Sequence, residues 1–247
     1  MKVRRAYSHP RRDVLKAIGA TAALSVLPFT ERVATAASQK RKIGMIGSGN
    51  VGSALGRVWA KAGHEVMFSS RHLDQDKALA AEVGANARAG TPSEAAAFGE
   101  VLVFAVPYGA LPELGKNLAD SIKGKVVIDT CNPFPNRDGE IADRARAEGA
   151  GLFSAQLLPG TRIVRAFNAV GAARMGRAHE DKQRMGMPIA GDDKQAIEIA
   201  SSLIREIGYE PVLIGGLEMG KYLMPGTPLS GERTPEEVRR IAATLKP

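Results

Sequence analysis

Four stretches of this chain are apolar, short and closed by turn-forming residues. Residues 42–46 (Lys-Ile-Gly-Met-Ile) run into Gly47, and 101–106 (Val-Leu-Val-Phe-Ala-Val) into Pro107. Residues 125–130 end at Cys131-Asn132-Pro133, and 163–167 at Asn168. Runs of this length bounded by glycine, proline and asparagine predict strands buried on both faces. A fifth strand is predicted at 65–69, and the segments between the strands have helical spacing. Alternating strand and helix implies a parallel sheet covered on both sides, an α/β fold of the doubly wound Rossmann type.

Beyond Gly171 the pattern loosens. Strands are expected at 187–190 and 210–214, with an amphipathic helix at 193–207 between them. Thr234 followed by Glu237 predicts a capping box that opens a last helix running to Leu245. The expected organisation is a nucleotide-binding domain at 40–165 and a small C-terminal α/β extension at 166–247, packed on the sheet.

Charge changes the picture only at the N-terminus. The net charge is +8, but residues 1–36 hold seven basic and two acidic side chains, so +5 of it lies there. The body is close to neutral, which argues against nucleic acid as a partner. Arg11-Arg12-Asp13-Val14-Leu15-Lys16, the apolar run that follows it to Phe29, and Ala34-Thr35-Ala36 resemble a twin-arginine signal peptide cleaved after Ala36. The apolar run is short for a membrane span. The expected partner is the twin-arginine export machinery, and the expected location is periplasmic or otherwise exported. A single cysteine, Cys131, excludes an intramolecular disulfide and reads as a small buried hydrophobe.

The candidate chemistry begins where the first strand ends. Gly47-Ser48-Gly49-Asn50-Val51-Gly52 is a G-x-G-x-x-G turn between a strand and a helix, the context that makes this motif a dinucleotide site. Gly47 permits the tight turn, Gly49 lets the pyrophosphate approach the backbone, and Gly52 lets helix and strand pack closely. The helix N-terminus offers unpaired N–H groups to phosphate. An NAD site places an acid about 20 residues further on. Here the second strand ends in Ser69-Ser70-Arg71-His72, with Asp74 only after the turn has begun. Ser70 and Arg71, with Lys77 on the next helix, suit the 2′-phosphate of NADP.

Ligands of such sheets gather at the carboxyl ends of the strands. Those ends hold Val106, Pro107, Asn132, Asn168, Ala169 and Val170. Asn132 and Asn168 are the expected catalytic positions, offering amides to a nicotinamide or to a flavin-like ring. No His-Glu-x-x-His and no paired cysteine is present, and no tyrosine precedes a lysine by four residues, so no metal site is expected and the short-chain dehydrogenase pair is missing.

Five segments taken together carry a family likeness: Ile-Gly-Met-Ile-Gly-Ser-Gly-Asn-Val-Gly, Ser-Ser-Arg, Ile-Asp-Thr-Cys-Asn-Pro, Arg-Ala-Phe-Asn-Ala-Val-Gly-Ala and Ala-Gly-Asp-Asp. In this order, over residues 42–225, they resemble the NADPH-dependent reductases of the deazaflavin coenzyme F420. The resemblance implies hydride transfer between NADPH and a flavin or deazaflavin acceptor. It assigns Ser48, Ser70 and Arg71 to the 2′-phosphate, and Pro107, Asn132 and 168–170 to the place where the two rings meet. A non-catalytic NADP-binding sensor or scaffold, and an imino-acid or hydroxyacid reductase sharing only the N-terminal domain, stay open as alternatives. So does a homodimer.

If the twin-arginine reading holds, replacing Arg11 and Arg12 with lysine leaves the protein uncleaved in the cytoplasm. Cell fractionation with intact-mass measurement checks this, and a cytoplasmic, uncleaved parent protein would contradict it.

Overall fold

A computed structural model describes residues 39–247, and the signal-like segment at 1–36 lies outside the described residues. Strand β1 (Lys42–Ile46) sends Ile43 and Met45 into one hydrophobic layer and Ile46 into the other. Strand β4 (Val101–Phe104) repeats this, with Val101 and Val103 on the first side and Leu102 and Phe104 on the second. This period of two with apolar residues at every position is what a sheet buried on both faces requires.

The remaining strands are β2 (Glu65–Ser69), β3 (Ala87–Ala89), β5 (Val126–Asp129), β6 (Arg162–Arg165), β7 (Gly186–Gly191) and β8 (Glu210–Leu213). Their order in one eight-stranded sheet is β3-β2-β1-β4-β5-β6-β7-β8. From β3 to β6 all pairs are parallel. The order reverses between β1 and β4, which opens a crevice beyond their carboxyl ends, the usual ligand position of this fold. The junction of β6 with β7 is antiparallel, and β8 then pairs parallel with β7. The C-terminal strands therefore extend the same sheet, running in the opposite direction.

Helix α1 (Asn50–Lys61) covers the first face with the helix Lys194–Ile207 beside it. Trp59, wholly buried, donates its indole N–H to the Leu203 carbonyl at 3.0 Å and meets Phe167 edge-on at 6.2 Å between ring centroids. Helix α2 (Leu73–Val83) follows β2, and α3 (Pro92–Phe98) opens on a capping box between Thr91 and Glu94. The box expected at Thr234 and Glu237 is present, although its helix stops at Ala242, short of Leu245. Asp193 caps Lys194–Ile207 through the Ala196 N–H and takes a two-pronged bond from Arg162; that arginine holds the carboxyl down at about 2.

Two strands end two residues earlier than the apolar runs suggest. β4 stops at Phe104 because Ala105 and Val106 already turn toward Pro107, and β6 stops at Arg165 because Phe167 adopts a left-handed backbone (φ 66°). Strand β3, three residues at the sheet edge, is too short and too polar to stand out in the sequence.

Candidate active site

Gly47 (φ 105°) makes the turn out of β1, and a Cβ there would strike the Ala105 carbonyl of the neighbouring strand end. A Cβ on Gly52 would overlap the Gly47 carbonyl oxygen, so helix and turn can pack only with glycine at both positions. Gly49 is exposed and has no atom within 4 Å of its Cβ direction, leaving the approach to the start of α1 clear. Neither a side-chain cap nor a first-turn acid satisfies the N-terminus of α1, so its N–H groups and dipole face outward. Asn50, at the mouth, also borders a cleft of ≈ 400 Å³ shared with Ser53, Arg57 and Ala172. Val51 is half-buried against the core.

The second turn is built differently from the expectation. Ser48 Oγ donates to Asp76 Oδ1, and Ser70 Oγ donates to Asp76 Oδ2 at 2.8 Å. Asp76 lies in the first turn of α2 and is wholly buried. Arg71 is exposed and makes no ion pair with a described residue, whereas Lys77 points to Asp74 at 3.4 Å on the surface. Ser69 is structural, its hydroxyl donating to the Met45 carbonyl at 2.6 Å.

The carboxyl ends of β5 and β6 are laced together. Asn132 Nδ2 donates to the Asn168 carbonyl at 2.8 Å, and Asn168 Nδ2 reaches the Cys131 carbonyl at 3.4 Å. Three successive carbonyls of this loop each take a guanidinium N–H: Cys131 from Arg165 (3.1 Å), Asn132 from Arg137 (2.8 Å) and Pro133 from Arg146 (3.1 Å). Beneath them Arg165 and Asp129, both fully buried, pair at 2.5 Å, and Asp129 also accepts the Cys131 N–H at 2.8 Å. With these carbonyls so held, the side-chain oxygens Asn132 Oδ1 and Asn168 Oδ1 stay buried and accept no hydrogen bond from a described residue. Such unpaired buried acceptors are costly, and they recur at ligand sites.

Phe167, the one described non-glycine residue with positive φ, immediately precedes Asn168. Its ring is locked against Trp59, so core packing maintains a strained backbone at the strand end. Ala169 is buried, its carbonyl accepting the Gly231 N–H at 2.8 Å, and Val170 is half-buried beside it. Pro107 is exposed and Val106 half-buried at the mouth, while Tyr108 folds inward, its hydroxyl 3.1 Å from the Ala150 carbonyl and 3.0 Å from Ser154 Oγ. Among the described residues there is no group of histidine, cysteine and carboxylate side chains able to hold a metal ion.

Sequence reasoning missed Asp76, Asp129 and Arg165. The last two had a signal: each places a charge in a strand that is otherwise apolar where it is buried, and in register they stand opposite one another. Asp76 had none, because its partner Ser48 lies 28 residues away.

A doubly wound sheet, a glycine turn at the switch point and amide groups at the strand ends define a protein of the dinucleotide-binding class. The family model for NADP oxidoreductase, coenzyme F420-dependent, matches residues 42–133. The F420-dependent NADP reductase of Methanothermobacter thermautotrophicus is 30% identical over 204 residues, covering 76% of this chain and 87% of that enzyme. Among solved structures, the hypothetical protein SMa0349 from Sinorhizobium meliloti superposes with a TM-score of 0.67 at 26% identity, over 80% of this chain and 96% of its own. A protein of Arthrobacter sp. FB24 shares the fold at a TM-score of 0.62 and 22% identity, over 73% of this chain and 87% of its own. The chain belongs to the family of F420-dependent NADP reductases.

The Cys131 thiol is buried, rests on the Phe104 carbonyl at 3.3 Å, and is pushed well above the ordinary thiol range, first by burial and then by the Asp129 carboxylate. It is therefore held as a neutral thiol and is inert. Iodoacetamide at neutral pH is expected to leave the folded protein unlabelled and to add a single adduct after denaturation. Rapid alkylation of the native protein, read by intact mass, would place Cys131 in an accessible site instead.

Proposed function

We infer that this chain is an NADP-dependent oxidoreductase that moves a hydride between NADPH and a deazaflavin of the F420 type. The observation that carries the reading is the pair of buried, unpartnered amide oxygens of Asn132 and Asn168, set at the strand ends beyond the clear glycine turn, in a chain of this family. These residues fit the two co-substrates. The open N-terminus of α1 and the bare Gly49 suit a pyrophosphate, and Arg71 is free to meet a 2′-phosphate. The two amide oxygens are acceptors for N–H donors, which both a nicotinamide carboxamide and the imide edge of a deazaflavin present. NADPH, when bound, supplies the hydride. The protein's part is orientation, through held loops and a strained but packed Phe167. No nucleophile is required of the chain. We also propose, on the arginine pair and the Ala34-Thr35-Ala36 segment, that the protein is exported with its nucleotide already bound.

Asn132 orients through its side chain, while its backbone is held by other groups. Asn132→Ala is therefore expected to slow hydride transfer in a single turnover by about tenfold or more, with NADPH affinity nearly unchanged and stability lowered by about 1–3 kcal/mol for the Asn168 carbonyl left without its donor. Single-turnover oxidation of bound NADPH by added F420, beside a thermal melt, measures both. An unchanged rate, or a rate lost only together with the fold, would remove Asn132 from the site.

A further inference from the structure

The two hydroxyls expected to grip the 2′-phosphate are already committed. A serine hydroxyl has one proton to give, and both Ser48 and Ser70 give theirs to the same buried carboxylate, Asp76. Ser70 Oγ in addition accepts the His72 N–H at 3.0 Å. What these hydroxyls can still offer a ligand is lone pairs. A ribose 2′-hydroxyl has a proton for such an acceptor, and a 2′-phosphate dianion has none. Asp76 also adds a fixed negative charge directly behind both serines, which opposes a phosphate brought against them.

We propose that Asp76 is a specificity-determining residue of the nucleotide site. It acts through Ser48 and Ser70 by fixing which way their protons point, and so narrows the preference for NADPH over NADH. The inference rests on the reading of this chain as an NADP-dependent oxidoreductase. The phosphate is then held chiefly by Arg71, whose guanidinium is exposed at the end of β2 and unpaired among the described residues, while the serines favour the hydroxyl form of the ribose. Sequence inspection points the other way, since Ser-Ser-Arg at a strand end advertises phosphate and the acid that modifies it lies one helical turn beyond.

The test is the ratio of NADPH to NADH dissociation constants, measured by titration of nicotinamide fluorescence with the full chain, its Asp76→Asn and Asp76→Ala variants, and Arg71→Ala as a control. Asparagine keeps the size of the side chain but can accept from only one serine through its carbonyl, and alanine releases both. The expected result is a modest preference in the parent protein, a gain of about tenfold or more in NADPH affinity in both variants, and NADH affinity changed by less than about threefold. Arg71→Ala is expected to lose roughly 10–150-fold in NADPH affinity alone, the range of a charge-assisted hydrogen bond. An unchanged ratio in both Asp76 variants overturns the inference, and so does an equal loss for both nucleotides, which would make Asp76 a clamp between the two turns. A parent protein that binds neither nucleotide would instead refute the oxidoreductase reading itself. A thermal melt separates each outcome from misfolding, with Asp76→Asn as the variant expected to keep the fold.

Discussion

The ligand end of this protein depends on one buried ion pair. Asp129 and Arg165 close β5 and β6 in register, opposite one another, and neither has access to solvent. Charges so placed are tolerated only when their remaining valences are used, because a lone buried charge costs about 3–5 kcal/mol. Here several of them are used on the loop above: Asp129 accepts the Cys131 N–H and Arg165 donates to the Cys131 carbonyl, while Arg165 Nε makes no hydrogen bond to a described residue. The pair thus fixes both ends of one peptide residue and, through it, Asn132. The aliphatic stem of Arg165 runs between Gly151 and Gly220, where a Cβ on either would crowd it. The C-terminal segment Leu217–Leu223 therefore closes over the pair, which gives the extension a physical role in the site.

From that anchor the hydrogen bonds spread outward along the strand ends. Asn132 reaches across to the Asn168 backbone, Asn168 reaches back to Cys131, and Arg137 and Arg146 hold the next two carbonyls. The consequence is selective. The loop carbonyls are held within the protein, while the acceptor oxygens of two side chains are left for something else. Rigid presentation of a few polar atoms is how a protein contributes to hydride transfer when the reactive chemistry belongs to the co-substrates.

Much of this was legible before any coordinates. The strand-turn-helix around Gly47–Gly52 is a local pattern whose steric logic reads directly from spacing; the antiparallel junction of β6 with β7 belongs to the C-terminal extension, for which no strand direction was expected. The helix cap at Thr234 was equally readable, since capping is local, whereas Asp193, expected inside its helix, turns out to cap it. The polar network was harder. Asp129 and Arg165 become partners only through sheet register, and Asp76 meets Ser48 only because two turns converge at the ends of β1 and β2. The sequence drew attention to Asp74, a surface residue, when the acid that matters sits two positions on and faces inward. Distance along the chain hid these contacts.

The central claim is that this arrangement passes a hydride directly from nicotinamide to a deazaflavin. The most direct test uses NADPH deuterated at both positions of its nicotinamide C4, purified protein and F420 without oxygen, with mass measurement of the reduced deazaflavin. The accepting position of a deazaflavin is a carbon, so a transferred deuteride stays in place. The account predicts deuterium in the product in step with NADPH oxidised. Product free of deuterium, or NADPH left unoxidised although bound, would contradict it.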